Sequence, residues 1–99
     1  MTMPCAYIIA DVTVTNAEQM AEYRKFSTQA MQEFGAEVCV RGGAIEVFEG
    51  DWAPTRMVML KFSSMARARE FYASATYTHA RAVREGAGVM RMVCVEGVE

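Results

Sequence analysis

The sequence predicts one α+β domain over residues 1–99, with strands and helices in the order β-α-β-β-α-β. Two patterns carry this prediction. Runs rich in β-branched and aromatic residues indicate strands, and apolar residues that recur at the 3.6-residue period indicate helices. The length agrees with it, because 99 residues make a single domain near the small end of ordinary domain sizes.

The first half of the chain begins with a strand at residues 5–12 and continues into a helix. Thr15 and Glu18 have the spacing of a capping box, in which each side chain satisfies the other residue's free backbone N–H. Gly35 stands where a helix ends in the left-handed conformation. Between these ends, one predicted buried face carries Met20, Tyr23, Ser27, Ala30, Met31 and Phe34.

A long second strand is predicted at residues 37–48, interrupted by Gly42 and Gly43. Paired glycines inside a strand indicate a bulge, a bend or a close approach to the backbone. Residues 49–54 contain Gly and Pro and are typical of a turn. The third strand, residues 56–62, follows after a short link, so we expect the two strands to form an antiparallel hairpin.

The second half contains helical segments at residues 65–73 and 76–85, interrupted at Ser74, and a last strand at residues 89–95. A serine pair precedes the first segment and can cap it. The inward-facing residues of that segment are predicted to be Ala68, Phe71 and Tyr72. This order of elements is the ferredoxin-like one, a four-stranded antiparallel sheet with its helices on one face.

The face of such a sheet that lies away from the helices should be polar at alternate positions, but these strands are apolar on both faces. Residues 89–95 are apolar at every position except Arg91. Residues 56–62 are apolar at Met57, Val58, Met59, Leu60 and Phe62. Hydrophobic residues make up 53% of the chain, more than a small core can hide. We therefore expect a homodimer in which the same face of a second copy covers the sheet.

Composition and motifs exclude several classes of function. The net charge of −2 argues against nucleic acid as a partner, and no apolar run is long enough to cross a membrane. Three cysteines without C-x-x-C spacing, and no secretory segment before Cys5, predict a reduced, cytoplasmic location. His79 is the single histidine and makes no metal site. No phosphate-binding or nucleophile motif occurs, so no cofactor is predicted.

Arg41 is the first candidate for a functional role, because a guanidinium partly buried within a sheet needs an anionic partner. Glu46 and Glu49 are the nearest carboxylates in sequence. One interpretation is an Arg–Glu pair that stabilises the bulge or the subunit register. The other is an anion-binding Arg41 at the mouth of a pocket, with Glu49 orienting it or acting as an acid or base.

A second group of candidates lies on the helical segment at residues 76–85. Tyr77, Arg81 and Arg84 form one stripe, and a phenol with two guanidinium groups can receive a carboxylate or an enolate. The alternative is that the arginines only cover the edge of a buried stripe with their aliphatic stems. Trp52 follows a turn and is interpreted as an interface anchor or as a lid over a ligand cavity.

Four segments resemble the family called domain of unknown function 1330. They are residues 7–10, residues 40–54 with the run R-G-G-x-x-E-V-x-E-G-D-W, residues 71–77 and residues 95–97. The resemblance spans nearly the whole chain and implies the dimeric α+β barrel superfamily, in which two ferredoxin-like subunits press their sheets together. That superfamily also contains small monooxygenases, lactone isomerases and haem proteins, so the resemblance implies a scaffold rather than a reaction.

The leading hypothesis is a homodimer whose subunits each hold a small organic acid or aromatic metabolite in a cleft between sheet and helices. Arg41 and the stripe of Tyr77, Arg81 and Arg84 would supply its polarity. The rival is a non-enzymatic structural or binding module without a small-molecule pocket. By analogy with the superfamily alone, a cofactor-free isomerase or monooxygenase is a further alternative, and a haem protein ranks after it. The sequence leaves open whether the protein is an enzyme.

Overall fold

The computed structural model describes residues 4–98, and these residues form one four-stranded antiparallel sheet with three helices on one of its faces. The elements, in chain order, are β1 (Ala6–Val14), α1 (Ala17–Phe34), β2 (Glu37–Arg41), β3 (Met57–Phe62), α2 (Met65–Ala73), α3 (Ala75–Val83) and β4 (Gly88–Glu96). The strand order in the sheet is β2-β3-β1-β4. This confirms the predicted α+β, ferredoxin-like fold, with the second helix divided in two.

The start of α1 differs from the predicted capping box. Asn16 is the N-cap, and its side chain accepts a hydrogen bond from the backbone N–H of Gln19 at 3.0 Å. The backbone N–H groups of Thr15 and Asn16 both donate to the carbonyl of Ala87, at 2.8 and 3.0 Å. The box between Thr15 and Glu18 is therefore wrong, because Asn is at least as good a cap and the turn before β4 already satisfies the free N–H groups. At the other end, Gly35 is left-handed as predicted.

The predicted strand at residues 37–48 is too long, since β2 ends at Arg41. Gly42 has φ +68° and turns the chain out of the extended conformation. The irregularity in the ladder lies between Val38 and Val40 rather than at the glycines. The antiparallel hairpin of β2 and β3 is confirmed.

The bulge in β2 changes which face of the sheet Arg41 occupies. Val38 pairs with Leu60 on the face covered by the helices, and in a regular strand Arg41 would then lie on the opposite face. The extra residue at the bulge shifts the register, so that Arg41 pairs with Val58 and shares its face. Val58 packs against the core beneath the helices, and Arg41 therefore points into the layer between sheet and helices.

The helix pair after β3 is organised by two serines. Ser64 caps α2, accepting from the backbone N–H of Arg67 at 3.1 Å, and Ser74 caps α3, accepting from the N–H of Tyr77 at 3.1 Å. Ala68 and Phe71 are buried as predicted, but Tyr72 is 41% exposed. The expectation that Tyr72 faces inward is wrong.

The core lies between the sheet and the helices, and α1 packs mainly against α2 and α3. On the opposite face, large apolar side chains of β4 are exposed, including Val89 and Val93 at 62% each and Val95 at 48%. The register places Ile9 and Met59 beside them on this face. We call it the open face. Among residues 4–98, no helix is long and apolar enough to cross a membrane.

Candidate ligand-binding cleft

A cavity of about 90 Å³ lies between α1 and the sheet. A single water needs only ~10–15 Å³ by this kind of measure, and an engineered cavity of about 150 Å³ holds benzene. The space therefore suits one small organic group. Its walls combine apolar side chains with a few polar ones: Ile8, Ala10, Val12, Met20, Tyr23, Arg24, Ser27, Thr28, Met31, Arg41, Arg56, Val58, Leu60, Phe71, Tyr77, Met90 and Met92.

Three arginines and no carboxylate are among these lining residues. Arg24 comes from α1, Arg41 from the end of β2, and Arg56 from the residue before β3. Arg24 and Arg41 are exposed and Arg56 is half-buried, so they mark the mouth of the cleft rather than its floor. Ion pairs within residues 4–98 join other groups, and none of them involves these three guanidinium groups. The cleft is thus positive in a chain whose net charge is −2.

Gly42 helps to place one of these cations. A Cβ atom at position 42 would overlap the guanidinium of Arg56. The N–H of Gly42 also donates to the carbonyl of Met57 at 2.9 Å, which holds the turn against the start of β3. The sequence predicted a bulge, a bend or a close approach to the backbone at the glycine pair, and Gly42 shows both the bend and the close approach.

The floor of the cleft contains a pair of buried phenols. The hydroxyls of Tyr23 on α1 and Tyr77 on α3 are 2.6 Å apart, and either can donate to the other. The side chains are 7% and 1% exposed, and their rings meet edge to face with centroids 6.1 Å apart. Burial, followed by the neighbouring Tyr77, raises the pKa of Tyr23 well above its ordinary value of 10.0. Tyr23 is therefore held in its neutral, hydrogen-bonding form.

The other predicted site residues lie outside the cavity wall. The Arg84 guanidinium lies over the ring of Tyr23, with its Cζ 5.3 Å from the centroid. The Arg81 guanidinium lies over the ring of Tyr72 at 4.2 Å and donates to the Tyr72 hydroxyl at 3.4 Å. Only Tyr77 of the predicted stripe lines the cleft, because a stripe along a helix presents its two ends to different neighbours.

Glu49 lies exposed on the segment that joins β2 to β3, and within residues 4–98 no ion pair joins it or Glu46 to Arg41. The chain turns at Gly42, which directs this segment away from the position of Arg41 in the ladder. The predicted Arg–Glu pair is therefore not formed in this chain by itself.

Trp52 lies at the open face rather than over the cavity. Its indole Nε1 donates to the carboxylate of Asp11 at 3.0 Å, and Arg91 donates to the same oxygen at 3.1 Å. Asp11 is 9% exposed although it belongs to the face without helices. Trp52 itself is 55% exposed, so its indole covers Asp11 and leaves apolar surface uncovered.

Sequence reasoning missed several polar residues of the cleft. Tyr23 was placed correctly on the buried face of α1 but interpreted as core packing, and Arg24 and Arg56 were not singled out. Only the contact with the hydroxyl of Tyr77 marks Tyr23 as part of the cleft, and Tyr77 lies 54 positions away, beyond the reach of any local sequence pattern. His79, the single histidine, is exposed and packs edge-on against Phe26, and residues 4–98 contain no cluster of three potential metal ligands.

The fold is shared with solved structures of low sequence identity. RPA0582, a protein of unknown function from Rhodopseudomonas palustris, has a TM-score of 0.77 and 18% identity, over 97% of this chain and 84% of that chain. SnoaB, a cofactor-independent oxygenase from Streptomyces nogalater, has a TM-score of 0.60 and 11% identity, over 97% and 95%. A putative antibiotic biosynthesis monooxygenase from Nitrosomonas europaea has a TM-score of 0.58 and 11% identity, over 99% and 94%.

These neighbours share the ferredoxin-like α+β fold of the chain, which is the subunit fold that the resemblance implied. No protein of curated function matches the chain in sequence. The family match covers residues 5–98, and the chain belongs to the family "Domain of unknown function (DUF1330)".

Proposed function

We propose that the protein binds a small organic acid or aromatic metabolite in the cleft between α1 and the sheet, with the acid group at the mouth. The observation that carries the proposal is the set of three arginines without a carboxylate, around a cavity whose other walls are mainly apolar. A guanidinium fork matches a carboxylate in shape and charge. Apolar walls with a few polar groups that fix orientation are the usual composition of a small-molecule site.

Arg41 has the central part in this proposal. The bulge in β2 turns it toward the helix layer, and its exposed side chain stands at the mouth of the cleft, where it can pair with an anion that enters. Glu46 and Glu49 do not supply that anion within residues 4–98. A bound carboxylate would supply that anion, and without a ligand, water at the half-exposed mouth hydrates the guanidinium.

Calorimetric titration with benzoate tests the proposal, because benzoate combines one ring with one carboxylate. We expect saturable binding that Arg41→Met weakens about tenfold, the loss of one charge-assisted hydrogen bond worth ~1.5 kcal/mol. Arg67→Met is the matched control, since Arg67 lies on α2 outside the cleft and should leave the affinity unchanged. Absence of saturable heat up to about 10 mM benzoate, or equal losses in both variants, would contradict the proposal.

Urea unfolding of the same Arg41→Met variant tests the structural interpretation of Arg41. If Arg41 only stabilised the bulge, Arg41→Met would lower the free energy of unfolding. We expect stability within about 0.5 kcal/mol of the parent, as for a surface substitution, together with weakened binding.

We also propose that the protein is a homodimer joined through the open face. Exposed valines on β4, with Ile9 and Met59 beside them, support this, because a monomer gains nothing from apolar side chains there. Two-fold pairing would bury the same patch on both copies, with Trp52 as an anchor. Native mass spectrometry at micromolar concentration should give mainly dimer, and a predominant monomer would refute this second proposal.

A further inference from the structure

The Tyr23 and Tyr77 hydroxyls together carry one proton more than their mutual hydrogen bond uses. Each phenol has one O–H, and one of the two O–H groups is directed at the other oxygen. Within residues 4–98, no third group meets both the distance and the angle of a hydrogen bond to either hydroxyl, although the Ser27 side chain lies close enough to Tyr23 to act against the rise in its pKa. Ser27, the serine on the same face of α1, donates instead to the backbone carbonyl of Arg24 at 3.3 Å.

An unused donor in a buried, mainly apolar place is costly unless a partner enters. Both tyrosines line the cavity, so a ligand in the cleft can supply that partner. The group required is an acceptor oxygen, because the free proton is a donor. A chain of two phenols also strengthens the outer donor, since each hydrogen bond polarises the next.

The charge beside the pair favours an oxygen that carries negative charge. The Arg84 guanidinium lies over the Tyr23 ring, 5.3 Å from its centroid, and this cation opposes the rise in the pKa of Tyr23. Among the residues that line the cavity there is no carboxylate to repel an anionic oxygen. One free phenol O–H with a cation beside its ring suits a ligand oxygen that carries negative charge.

We infer that the Tyr23–Tyr77 pair is a second polar anchor of the cleft, which binds the hydroxyl, carbonyl or enolate oxygen of a hydroxy acid or oxo acid. This inference rests on the proposed function, in which the arginines at the mouth bind the ligand's carboxylate. It narrows the ligand class from any small acid to one with a second oxygen at its other end. A simple alkyl or aryl acid would leave the phenol proton unpartnered.

The test compares ligands that differ only at this second position. Benzoate, 4-methylbenzoate, 3-hydroxybenzoate and 4-hydroxybenzoate are titrated calorimetrically into the protein. Methyl and hydroxyl are similar in size, so their ratio of affinities reports the polar anchor rather than the volume of the cavity. We expect at least one hydroxybenzoate to bind about threefold to tenfold more tightly than 4-methylbenzoate, the range of a neutral hydrogen bond.

The double variant Tyr23→Phe/Tyr77→Phe identifies the anchor, because each single variant keeps one phenol O–H that can donate to the ligand. In the double variant the preference for hydroxyl over methyl should fall to about one. Tyr72→Phe is the control, because Tyr72 is exposed and does not line the cavity. A tyrosine that only supported the fold would change all four affinities by the same factor and leave the preference intact.

The outcomes are distinct for the two claims. Benzoate binding without any hydroxyl preference in the parent protein overturns the inference and leaves the proposed function standing. A preference that survives in the double variant also overturns it. Failure of all four acids to bind overturns the proposed function and the inference with it. If the double variant fails to fold, the comparison of methyl with hydroxyl in the parent protein still decides.

Discussion

Replacing Gly42 by alanine should damage the cleft through two separate effects, and the chain contains the controls that separate them. The backbone at Gly42 has φ +68°, in the left-handed region that costs an L-residue with a Cβ about 1–2 kcal/mol. The added Cβ would also overlap the guanidinium of Arg56 and force that side chain to move. We expect a loss of about 1–2 kcal/mol of stability and roughly tenfold weaker benzoate binding, equivalent to one charge-assisted contact.

Two other glycines of the same segment are matched controls. Gly50 is also left-handed, at φ +82°, but a Cβ there meets nothing within 4 Å. Gly43 is outside the left-handed region, and its Cβ position is equally open. Gly50→Ala should therefore lose stability without losing affinity, and Gly43→Ala should lose neither.

Urea unfolding and benzoate calorimetry on the three variants give both quantities. Stability should fall in Gly42→Ala and Gly50→Ala, while the affinity for benzoate should fall in Gly42→Ala alone. The reasoning is refuted if Gly42→Ala binds benzoate as the parent does, because Arg56 would then not need its present position. It is also refuted if Gly50→Ala weakens binding as strongly as Gly42→Ala.

Three further results are expected. Tyr23→Phe and Tyr77→Phe should each lower the free energy of thermal unfolding by about 1–3 kcal/mol, because each leaves a buried hydroxyl unpaired. The double variant should lose clearly less stability than the two single losses added together, and simple additivity would argue against a hydrogen bond between the two tyrosines. Because the pKa of Tyr23 is raised in the folded state, its contribution to the free energy of unfolding is complete below about pH 10 and is lost as the pH rises toward the pKa of the folded state. The stability of Tyr23→Phe should therefore fall less between pH 9 and about pH 11 than that of the parent. Parallel plots of stability against pH for the two proteins would contradict this prediction. Val93→Lys on the open face should shift sedimentation from dimer to monomer while Ala66→Lys on α2 should not, and two unchanged dimers would exclude Val93 from the interface.

The fold was predictable because its signals are local. The apolar stripe of α1, the serine before α2 and Gly35 each act within a few residues, and the structure places all of them as expected. The Asn16 cap was missed because Thr15 satisfies the same pattern one position earlier. The competition between them is decided by Ala87, which lies far along the chain.

The site was less predictable because its geometry depends on long-range pairing. Nothing in residues 37–41 alone indicates that the ladder slips between Val38 and Val40, yet that slip decides the face of Arg41. The hydroxyl contact of Tyr23 likewise requires α1 and α3 to be packed together. Arg41 and Tyr77, both candidates from the sequence, line the cavity, whereas the other polar residues beside them are brought there only by the folded chain.

The most direct test of the account is to locate a bound acid by amide chemical-shift mapping during a benzoate titration. We expect saturable shifts concentrated around Arg24, Ser27, Gly42 and Tyr77, with little change at Val93 and Val95 of the open face. Shifts confined to the open face, or spread evenly without saturation, would contradict the claim that the cleft between α1 and the sheet is the binding site.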